Sequence, residues 1–236
     1  TDPGQDDAVA ILLALASPED VEVLGITAAA GNVTVAKTSK NIRIVCELAG
    51  KADTLVFAGS DTPIGRPLVT AEHVHGDTGL DGPDMTDPLM PLQPQNGVDF
   101  IIDTVRATDN VTLCTLGPLT NVGLAFQKAP DIIPRIQEIV LMGGAYFEVG
   151  NITPAAEFNI YVDPQAAEAL LQGFAKRPGL APFLQRTKGK QGPELVYRLP
   201  IMGVIRERIE SDGFDLWEDS FSMQADLFLP QAFAET

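Results

Sequence analysis

Three carboxylates lie within the first seven residues of the chain, at Asp2, Asp6 and Asp7. Pro3 and Gly4 make a tight turn between the first aspartate and the other two. Aspartates this close together repel one another, which raises their pKa values unless a cation or hydrogen-bond donors compensate. No histidine or cysteine is nearby, so the available ligands are hard oxygen atoms, which favour Ca²⁺, Mg²⁺ or Mn²⁺ over Zn²⁺.

An apolar run over residues 8–16 follows the aspartates directly and predicts a buried helix. Asp6 and Asp7 then lie near the helix N-terminus, where the helix dipole and free N–H groups favour negative charge. An ordinary aspartate-rich N-cap on a surface helix is therefore an alternative to a metal site. The residues of this stretch leave both interpretations open.

Composition limits the classes of partner. The 236 residues carry a net charge of −16 with a pI near 4.3, which argues against a nucleic-acid polymer or an anionic membrane as partner. No apolar stretch approaches the length of a transmembrane helix. The two cysteines, Cys46 and Cys114, form no CxxC motif, and we expect both to be buried free thiols, which favours a cytoplasmic location.

Strand-like and helix-like segments alternate along the chain, which predicts one α/β domain with a mostly parallel, doubly wound sheet and helices on both faces. In such a sheet, ligands bind outside the carboxyl ends of the strands. We predict strands at 21–30, 54–58, 111–116 and 138–144, and helices at 8–16, 34–48, 97–108 and 122–129.

Both ends of the predicted sheet are expected to be incomplete. An Asp-Pro-Gly turn of this kind normally follows a strand, and no apolar strand-like run occurs after residue 172. We therefore predict a core over 1–171 and a divergent segment over 172–236 that packs on the same domain. Within that segment, 173–193 is typical of a linker, whereas 202–209 and 215–228 are typical of helices.

Residues 59–96 form a long segment rich in proline, glycine and aspartate, and loops of this length are usually functional or mobile. It contains both histidines of the chain, His73 and His75. With no third histidine or cysteine beside them, a zinc site is not indicated. We interpret His75 as a substrate contact or lid residue, and the alternative is a solvated loop histidine.

Further polar residues follow the predicted strands. Asn32 ends the first of them, and the Gly-Pro turn at 117–118 frees a main-chain carbonyl to face a ligand, unless it is a plain strand-to-helix loop. Asn151, Glu157 and Asn159 form a set suited to binding hydroxyl groups. The P-loop, GxGxxG, GxSxG, HExxH and EF-hand motifs are absent, so the sequence shows no phosphate cradle.

Six motifs occur in a fixed order: TDPGQDD at 1–7, GN at 31–32, HVHGDTG at 73–79, TLGPLTN at 115–121, VLMGGAY at 140–146, and the set GN, AEFN and VDP between 150 and 164. In this order the chain resembles the nucleoside hydrolases, in particular the inosine-uridine preferring type. The resemblance extends from residue 1 to about Leu171. Each motif alone is weak, but their joint order is specific.

The resemblance implies a Ca²⁺-dependent enzyme that hydrolyses the N-glycosidic bond of ribonucleosides to a free base and ribose. Asp2 would bind Ca²⁺ and accept a proton from the attacking water. Asp7 would be the main bidentate ligand, and the main-chain carbonyl of Leu116 would add another. A homodimer or homotetramer is also implied.

The resemblance also assigns a substrate pocket. Asp6 and Asn32 would hold ribose hydroxyls, and Phe158 and His75 would lie close to the substrate. The remaining positions that would line the ribose pocket are Met142, Asn151, Glu157 and Asn159.

The family pattern ends at about Gln172. Nucleoside hydrolases of this type supply a late His-Asp pair, in which the aspartate completes the Ca²⁺ site and the histidine protonates a purine leaving group. No histidine follows His75 in this chain. One alternative is therefore a non-catalytic nucleoside- or Ca²⁺-binding homologue. Another, a Mg²⁺ phosphohydrolase with an early aspartate nucleophile, lacks the basic residues that a phosphate requires.

Overall fold

Parallel strands form the frame of the molecule. The computed structural model describes residues 1–82, 85–145 and 150–175. Its described strands form two parallel pairs, with Ile26 opposite Val56 in the first and Thr112 opposite Glu138 in the second. The strands are β1 (Ile26–Ala28), β2 (Val56–Ala58), β3 (Thr112–Thr115) and β4 (Glu138–Leu141).

Helices connect the strands, as parallel pairing requires. They are α1 (Gln5–Ala16), α2 (Val35–Leu48), α3 (Glu72–His75), α4 (Gly97–Ala107), α5 (Thr120–Lys128), a 3₁₀ helix (Pro130–Arg135), α6 (Phe158–Val162) and α7 (Pro164–Ala175).

Helices cover both faces of the β1–β2 pair. Successive side chains of a strand point to opposite faces. Val56 is fully buried in a cluster that includes residues of α1 and α2, whereas the ring of Phe57 stacks on Phe100 of α4 with centroids 3.8 Å apart. The α/β class, the parallel pairing and the helices on both faces are therefore as predicted.

The largest apolar cluster among the described residues is formed by α4, α5, α7 and the segments beside them. Val105, Ile132 and Ile136 are fully buried in it. Burying an aliphatic side chain of this size contributes roughly 1.5–3 kcal/mol. The N-terminus of α4 is capped by the Asn96 side chain, which accepts a hydrogen bond from the main-chain nitrogen of Val98 at 2.8 Å. This cluster fixes the helices that follow β2 and β3.

The opening turn lies between the two strand pairs. The main-chain nitrogen of Thr1 donates to the oxygen of Thr27 at 3.2 Å, and Ala29 donates to the oxygen of Thr1 at 2.8 Å. The main-chain groups of the alternate residue, Ala28, face the other edge of β1, where Gly59 after β2 donates to the Ala28 oxygen at 3.0 Å. Thr1 therefore pairs with the edge of β1 that faces away from β2.

Several element boundaries differ from those predicted. Strand β1 is shorter than the predicted 21–30 because its pairing begins where Ile26 donates to the oxygen of Leu55. The four-residue helix α3 interrupts the predicted loop at 59–96. The predictions for 202–209 and 215–228, and most of 173–193, lie outside the described residues.

Only one cysteine is buried as expected. Cys46 is buried and free, whereas Cys114 is free but exposed. Exposure alternates along β3, so Thr112 and Cys114 share its exposed face among the described residues. None of the described helices is long and apolar enough to cross a membrane.

Candidate active site

Asp2 is the most deeply buried carboxylate of the opening turn, with 1% of its surface exposed. The main-chain nitrogen of Asn32 donates to its Oδ2 at 2.8 Å, and the Asn32 side chain donates to the main-chain oxygen of Asp2 at 2.9 Å. The other carboxylate oxygen, Oδ1, is buried without a hydrogen-bond partner among the described residues. A buried, unpaired carboxylate oxygen is costly, so this position would favour a cation or a hydrogen-bond donor.

Two glycines flank this carboxylate. Gly31 follows β1 and Gly117 follows β3, and a Cβ at either position would collide with an Asp2 carboxylate oxygen. Neither glycine has a positive φ, so what matters at these positions is the lack of a side chain. The carboxyl ends of β1 and β3 thus approach Asp2 from two sides.

Asp7 is the second buried carboxylate, in the first turn of α1. The hydroxyl of Thr1 donates to its Oδ1 at 2.5 Å, and the main-chain nitrogen of Gly4 donates to its Oδ2 at 3.2 Å. Burial and the nearby carboxylate of Asp6, which is itself exposed, raise the pKa of Asp7 to about 6. Burial and the charge of Asp7 raise the pKa of Asp2 well above its usual value.

These carboxylates fit part of a cation site. The unpaired Oδ1 of Asp2 and the raised pKa values show two buried acids that a cation would stabilise as anions. The described residues contain no group of three or more histidine, cysteine, aspartate or glutamate side chains placed to hold a metal ion. Asp2 and Asp7 therefore need main-chain oxygens or further ligands to complete a site.

A second polar group lies at the carboxyl ends of β3 and β4, around Asn159. The side-chain amide of Asn159 donates to the main-chain oxygen of Leu116 at 3.0 Å and to that of Met142 at 3.1 Å. The Met142 sulfur also lies 3.1 Å from the same nitrogen. Gly117 lies against Asp2, so the preceding residue, Leu116, lies directly beside the aspartate turn.

Glu157 is buried and serves as the N-cap of α6. Its carboxylate accepts from the main-chain nitrogens of Asn159 at 3.0 Å, Ile160 at 3.3 Å and Gly144 at 2.9 Å. Burial raises the pKa of Glu157, although these N–H groups oppose the shift. Through these hydrogen bonds, Glu157 fixes the main chain at Gly144, after β4, and at the start of α6.

Asn151 and Phe158 are joined by a hydrogen bond, and Phe158 is connected through Ala71 to Asn32 beside the aspartate turn. The side-chain oxygen of Asn151 accepts from the main-chain nitrogen of Phe158 at 2.7 Å. The ring of Phe158 is buried beside Ala71 and Val162. Ala71 in turn donates to the main-chain oxygen of Asn32 at 2.9 Å, so it bridges the two polar groups.

His75 lies over the aspartate turn. Its Nδ1 is 2.9 Å from the Oε1 of Gln5, and a Cβ on Gly4 would lie 2.5 Å from the same ring nitrogen. The segment from Ala71 to Asp81 therefore rests on the turn that carries the aspartates.

Comparisons with known proteins decide the family. Residues 1–187 match the family described as inosine-uridine preferring nucleoside hydrolase. The chain belongs to this family.

Its relatives include named hydrolases. The chain is 46% identical over 172 residues to the pyrimidine-specific ribonucleoside hydrolase RihA of Escherichia fergusonii, a match that covers 72% of this chain and 55% of the relative. It is 54% identical over 173 residues to an uncharacterized protein of Schizosaccharomyces pombe, covering 72% and 56%. The chain thus spans about half the length of the curated relatives it matches.

Solved structures of nucleoside hydrolases have the same fold. The purine-preferring ribonucleoside hydrolase from Gardnerella vaginalis superposes with a TM-score of 0.70 at 35% identity, covering 73% of this chain and 56% of that one. A plant nucleoside hydrolase, PpNRh1, gives 0.66 at 34% identity, covering 73% and 55%. The nucleoside hydrolase fold inferred from the motifs is confirmed, and the family match extends past Leu171 to residue 187.

Within this family fold, the predicted site residues fall into two groups that meet at Gly117 and Ala71. The first group contains Asp2, Asp6, Asp7, Asn32 and His75, and the second contains Leu116, Met142, Asn151, Glu157, Phe158 and Asn159.

The motif analysis included Asp163 in the VDP motif but gave it no role, and the structure shows it to be a fully buried, hydrogen-bonded carboxylate. It accepts from the Thr120 hydroxyl at 2.7 Å and from the main-chain nitrogens of Ile64 at 2.9 Å and Ala166 at 3.0 Å. Asp163 precedes Pro164 at the start of α7, and an aspartate before such a proline predicts an N-cap. That signal reveals the bond to Ala166, but not those to Thr120 and Ile64.

Proposed function

We propose that this chain hydrolyses the N-glycosidic bond of ribonucleosides to a free base and ribose, with Ca²⁺ as cofactor and with Asp2 as the base that activates water. The observation that carries the proposal is the buried Asp2 carboxylate, whose Oδ1 has no partner among the described residues. The family match and the relatives named as ribonucleoside hydrolases support the reaction class.

The proposed cation ligands are Asp2, Asp7 and the main-chain oxygen of Leu116. Carboxylate and carbonyl oxygens are the ligands that Ca²⁺ prefers, and the ion accepts six to eight of them in flexible geometry. In the part of the chain that the structure describes, the Leu116 oxygen accepts a hydrogen bond from Asn159, and a carbonyl oxygen has two lone pairs. When bound, Ca²⁺ would chelate the sugar diol and a water molecule.

The protein's own residues account for the proton transfer. Burial raises the pKa of Asp2 in the metal-free chain, and a bound cation would lower it again, so that Asp2 would be an ionised base beside the water. Its Oδ1 would accept the proton of the attacking water, and a general base of this kind contributes about 10²–10⁴-fold. As the ribosyl C–N bond breaks, its electron pair would leave with the base, which would take a proton from solvent, and the positive charge that develops on the sugar would be stabilised by the anions of Asp2 and Asp7.

The remaining polar residues would hold the substrate. Asn32 uses its amide nitrogen to bind Asp2, so its side-chain oxygen would accept a ribose hydroxyl, as would the exposed carboxylate of Asp6. His75 and Phe158 would lie close to the nucleoside. The other proposed ribose-pocket residues are Met142, Asn151, Glu157 and Asn159.

Charge favours a nucleoside over a nucleotide. With a net charge of −16, the protein would repel a phosphate, whereas a nearly neutral nucleoside incurs little electrostatic penalty. The two free thiols, Cys46 and Cys114, support a cytoplasmic location. We also propose a homodimer or homotetramer, which light scattering of the purified chain tests directly.

The direct test is ribose release from inosine and from uridine, measured with Ca²⁺ and with EDTA. We expect turnover that depends on Ca²⁺ and that falls by at least about 10²-fold in Asp2→Asn. Asp53→Asn removes an exposed carboxylate outside the described site and should retain activity. If the unaltered chain releases no ribose from either nucleoside under any of these conditions, the enzymatic proposal is wrong.

The second candidate function is a non-catalytic nucleoside- or Ca²⁺-binding homologue. It is favoured by the absence of any histidine after His75, because the family supplies a late His-Asp pair. Calorimetry distinguishes the two functions, since nucleoside or ribose binding without ribose release is expected only of the binder. If neither Ca²⁺ nor ribose changes the melting temperature, the binding function is also excluded.

A further inference from the structure

The Gln5–His75 pair is a contact that the proposed catalytic roles leave unused. Gln5 lies between Gly4 and Asp6 in the opening aspartate turn, and its Oε1 lies 2.9 Å from the Nδ1 of His75. The nitrogen of the same Gln5 amide lies 3.5 Å from the main-chain oxygen of Asp81, a long contact with the correct polarity for donation. Since the Nε2 end faces a carbonyl, the Oε1 end is the acceptor that faces the imidazole.

The imidazole position is also defined by close packing. A Cβ on Gly4 would lie 2.5 Å from Nδ1 and 2.6 Å from Cε1 of His75, closer than real side chains approach. Gly4 has a φ of −90°, which any residue adopts, so its lack of a side chain serves this contact. The ring edge that carries Nδ1 therefore rests on the turn and faces Gln5.

The segment that carries His75 is itself attached to the turn and to α2. The buried side chain of Asn41 donates to the main-chain oxygen of Thr78 at 2.8 Å, and Lys37 donates to that of Asp77. These bonds hold the backbone after Gly76, and before it the main-chain nitrogen of Ala71 donates to the oxygen of Asn32 at 2.9 Å. The backbone is thus held by bonds other than the long Gln5 contact, which leaves the Gln5 Oε1 to determine which imidazole nitrogen carries the proton.

We infer that Gln5 is a positioning residue that holds the neutral His75 imidazole as its Nδ1–H tautomer, which presents Nε2 as a hydrogen-bond acceptor to the substrate. A neutral imidazole has one N–H donor and one acceptor nitrogen. Because Gln5 offers an acceptor to Nδ1, the proton resides on Nδ1 and the lone pair on Nε2. The chemical class that this nitrogen recognises is a hydroxyl or N–H group of the nucleoside.

The tautomer assignment is independent of catalysis, whereas the substrate contact rests on the proposed function. Free imidazoles of histidine favour the Nε2–H tautomer, so the inferred state is the less common one. A single hydrogen bond of this kind contributes about 0.5–1.5 kcal/mol, so its loss should change the tautomer ratio by roughly twofold to tenfold.

The experiment is ¹⁵N-edited NMR of the full chain labelled at histidine, at a pH where the imidazoles are neutral. The chain has two histidines, so His73 serves as an internal reference. We expect His75 to show the Nδ1–H pattern in the unaltered chain. Gln5→Met keeps the side-chain length but removes the acceptor, so it should shift the tautomer ratio of His75 toward Nε2–H by twofold or more. Gln5→Glu keeps an acceptor oxygen and should retain the Nδ1–H form.

The matched control is Gln95→Met. Gln95 is a half-buried glutamine whose side chain donates to Asp103 at 2.8 Å, and the loss of this bond should leave both histidine patterns unchanged. If Gln5→Met does not fold, Gln5→Ala provides the same comparison. An Nε2–H pattern for His75 in the unaltered chain overturns the inference without any variant, as does an unchanged pattern in the acceptor-free variants.

Kinetics test the substrate contact. If the unaltered chain hydrolyses nucleosides, Gln5→Met should raise KM about threefold to tenfold with little change in kcat, because the contact is present in the ground state. An unchanged KM together with a shifted tautomer overturns the substrate contact alone. Absence of turnover in the unaltered chain contradicts the proposed function and leaves the NMR result standing.

Discussion

Asn32 binds Asp2 twice: its main-chain nitrogen donates to Oδ2 at 2.8 Å and its side-chain amide donates to the main-chain oxygen at 2.9 Å. Both residues are buried. The residue after β1 therefore fixes the backbone and the carboxylate of the opening turn together. One side chain thus links the proposed ribose-binding and water-activating positions.

The first prediction concerns Asn32→Ala. The substitution leaves the main-chain oxygen of Asp2 buried without its donor, which should lower the free energy of unfolding by about 1–3 kcal/mol. Urea denaturation measures this change. Gln172→Ala, which removes only an exposed bond to Glu168, should alter it by less than about 0.5 kcal/mol. Equal stability of Asn32→Ala and the parent chain would show that the bond contributes nothing.

The second prediction concerns Gly117→Ala. Its Cβ would collide with the Asp2 carboxylate, so the aspartate must move away from the carboxyl end of β3. We expect the rise in melting temperature on adding Ca²⁺ to be reduced or lost, along with ribose release. Gly82→Ala is the control, because a Cβ at Gly82 meets nothing within 4 Å. A full Ca²⁺ response in Gly117→Ala would place the cation elsewhere.

Local sequence patterns predicted the helices and strands well where one face is apolar. The predicted helix at 34–48 is found as α2, Val35–Leu48, and the predicted strand at 54–58 contains β2. Strand β1 was overestimated, because its length depends on where the partner strand begins to pair. Pairing is a property of two segments, and an apolar run reports only one of them.

The sequence predicted those site residues that belong to a motif. It did not predict the side chains that connect segments distant in sequence. The aspartate turn is visible in the first seven residues. The bonds of Asn41 to the oxygen of Thr78 and of Asp163 to the hydroxyl of Thr120 join segments 37 and 43 residues apart. No local pattern predicts such pairs, since each residue alone has an ordinary helical or capping context.

The third prediction concerns the carboxylate of Asp163. Asp163→Ala leaves the Thr120 hydroxyl and the nitrogens of Ile64 and Ala166 without their acceptor in a fully buried position. The free energy of unfolding should fall by about 2–4 kcal/mol, measured by urea denaturation. Thr62→Ala, at an exposed position in the same loop region, should cost far less. Similar losses in the two variants would contradict a supporting role for Asp163.

The fourth prediction concerns pH. Burial and the charge of Asp6 raise the pKa of Asp7 to about 6, whereas an unfolded aspartate has a pKa of about 3.9. Between these values the folded chain binds more protons than the unfolded one, so without metal its stability should fall as pH rises from about 4 to about 6. Melting temperatures in EDTA, recorded across this range, measure the slope.

The stabilisation by Ca²⁺ should depend on pH in the opposite direction. Ca²⁺ binds the ionised carboxylates, so the rise in melting temperature on adding Ca²⁺ should grow over the same pH range. Asp7→Asn has no carboxylate at this position and should reduce both slopes to the part that Asp2 contributes, whereas Asp53→Asn, at an exposed position, should change neither. A Ca²⁺ response that is already complete at pH 4.5 would show that the ion does not require ionised Asp7.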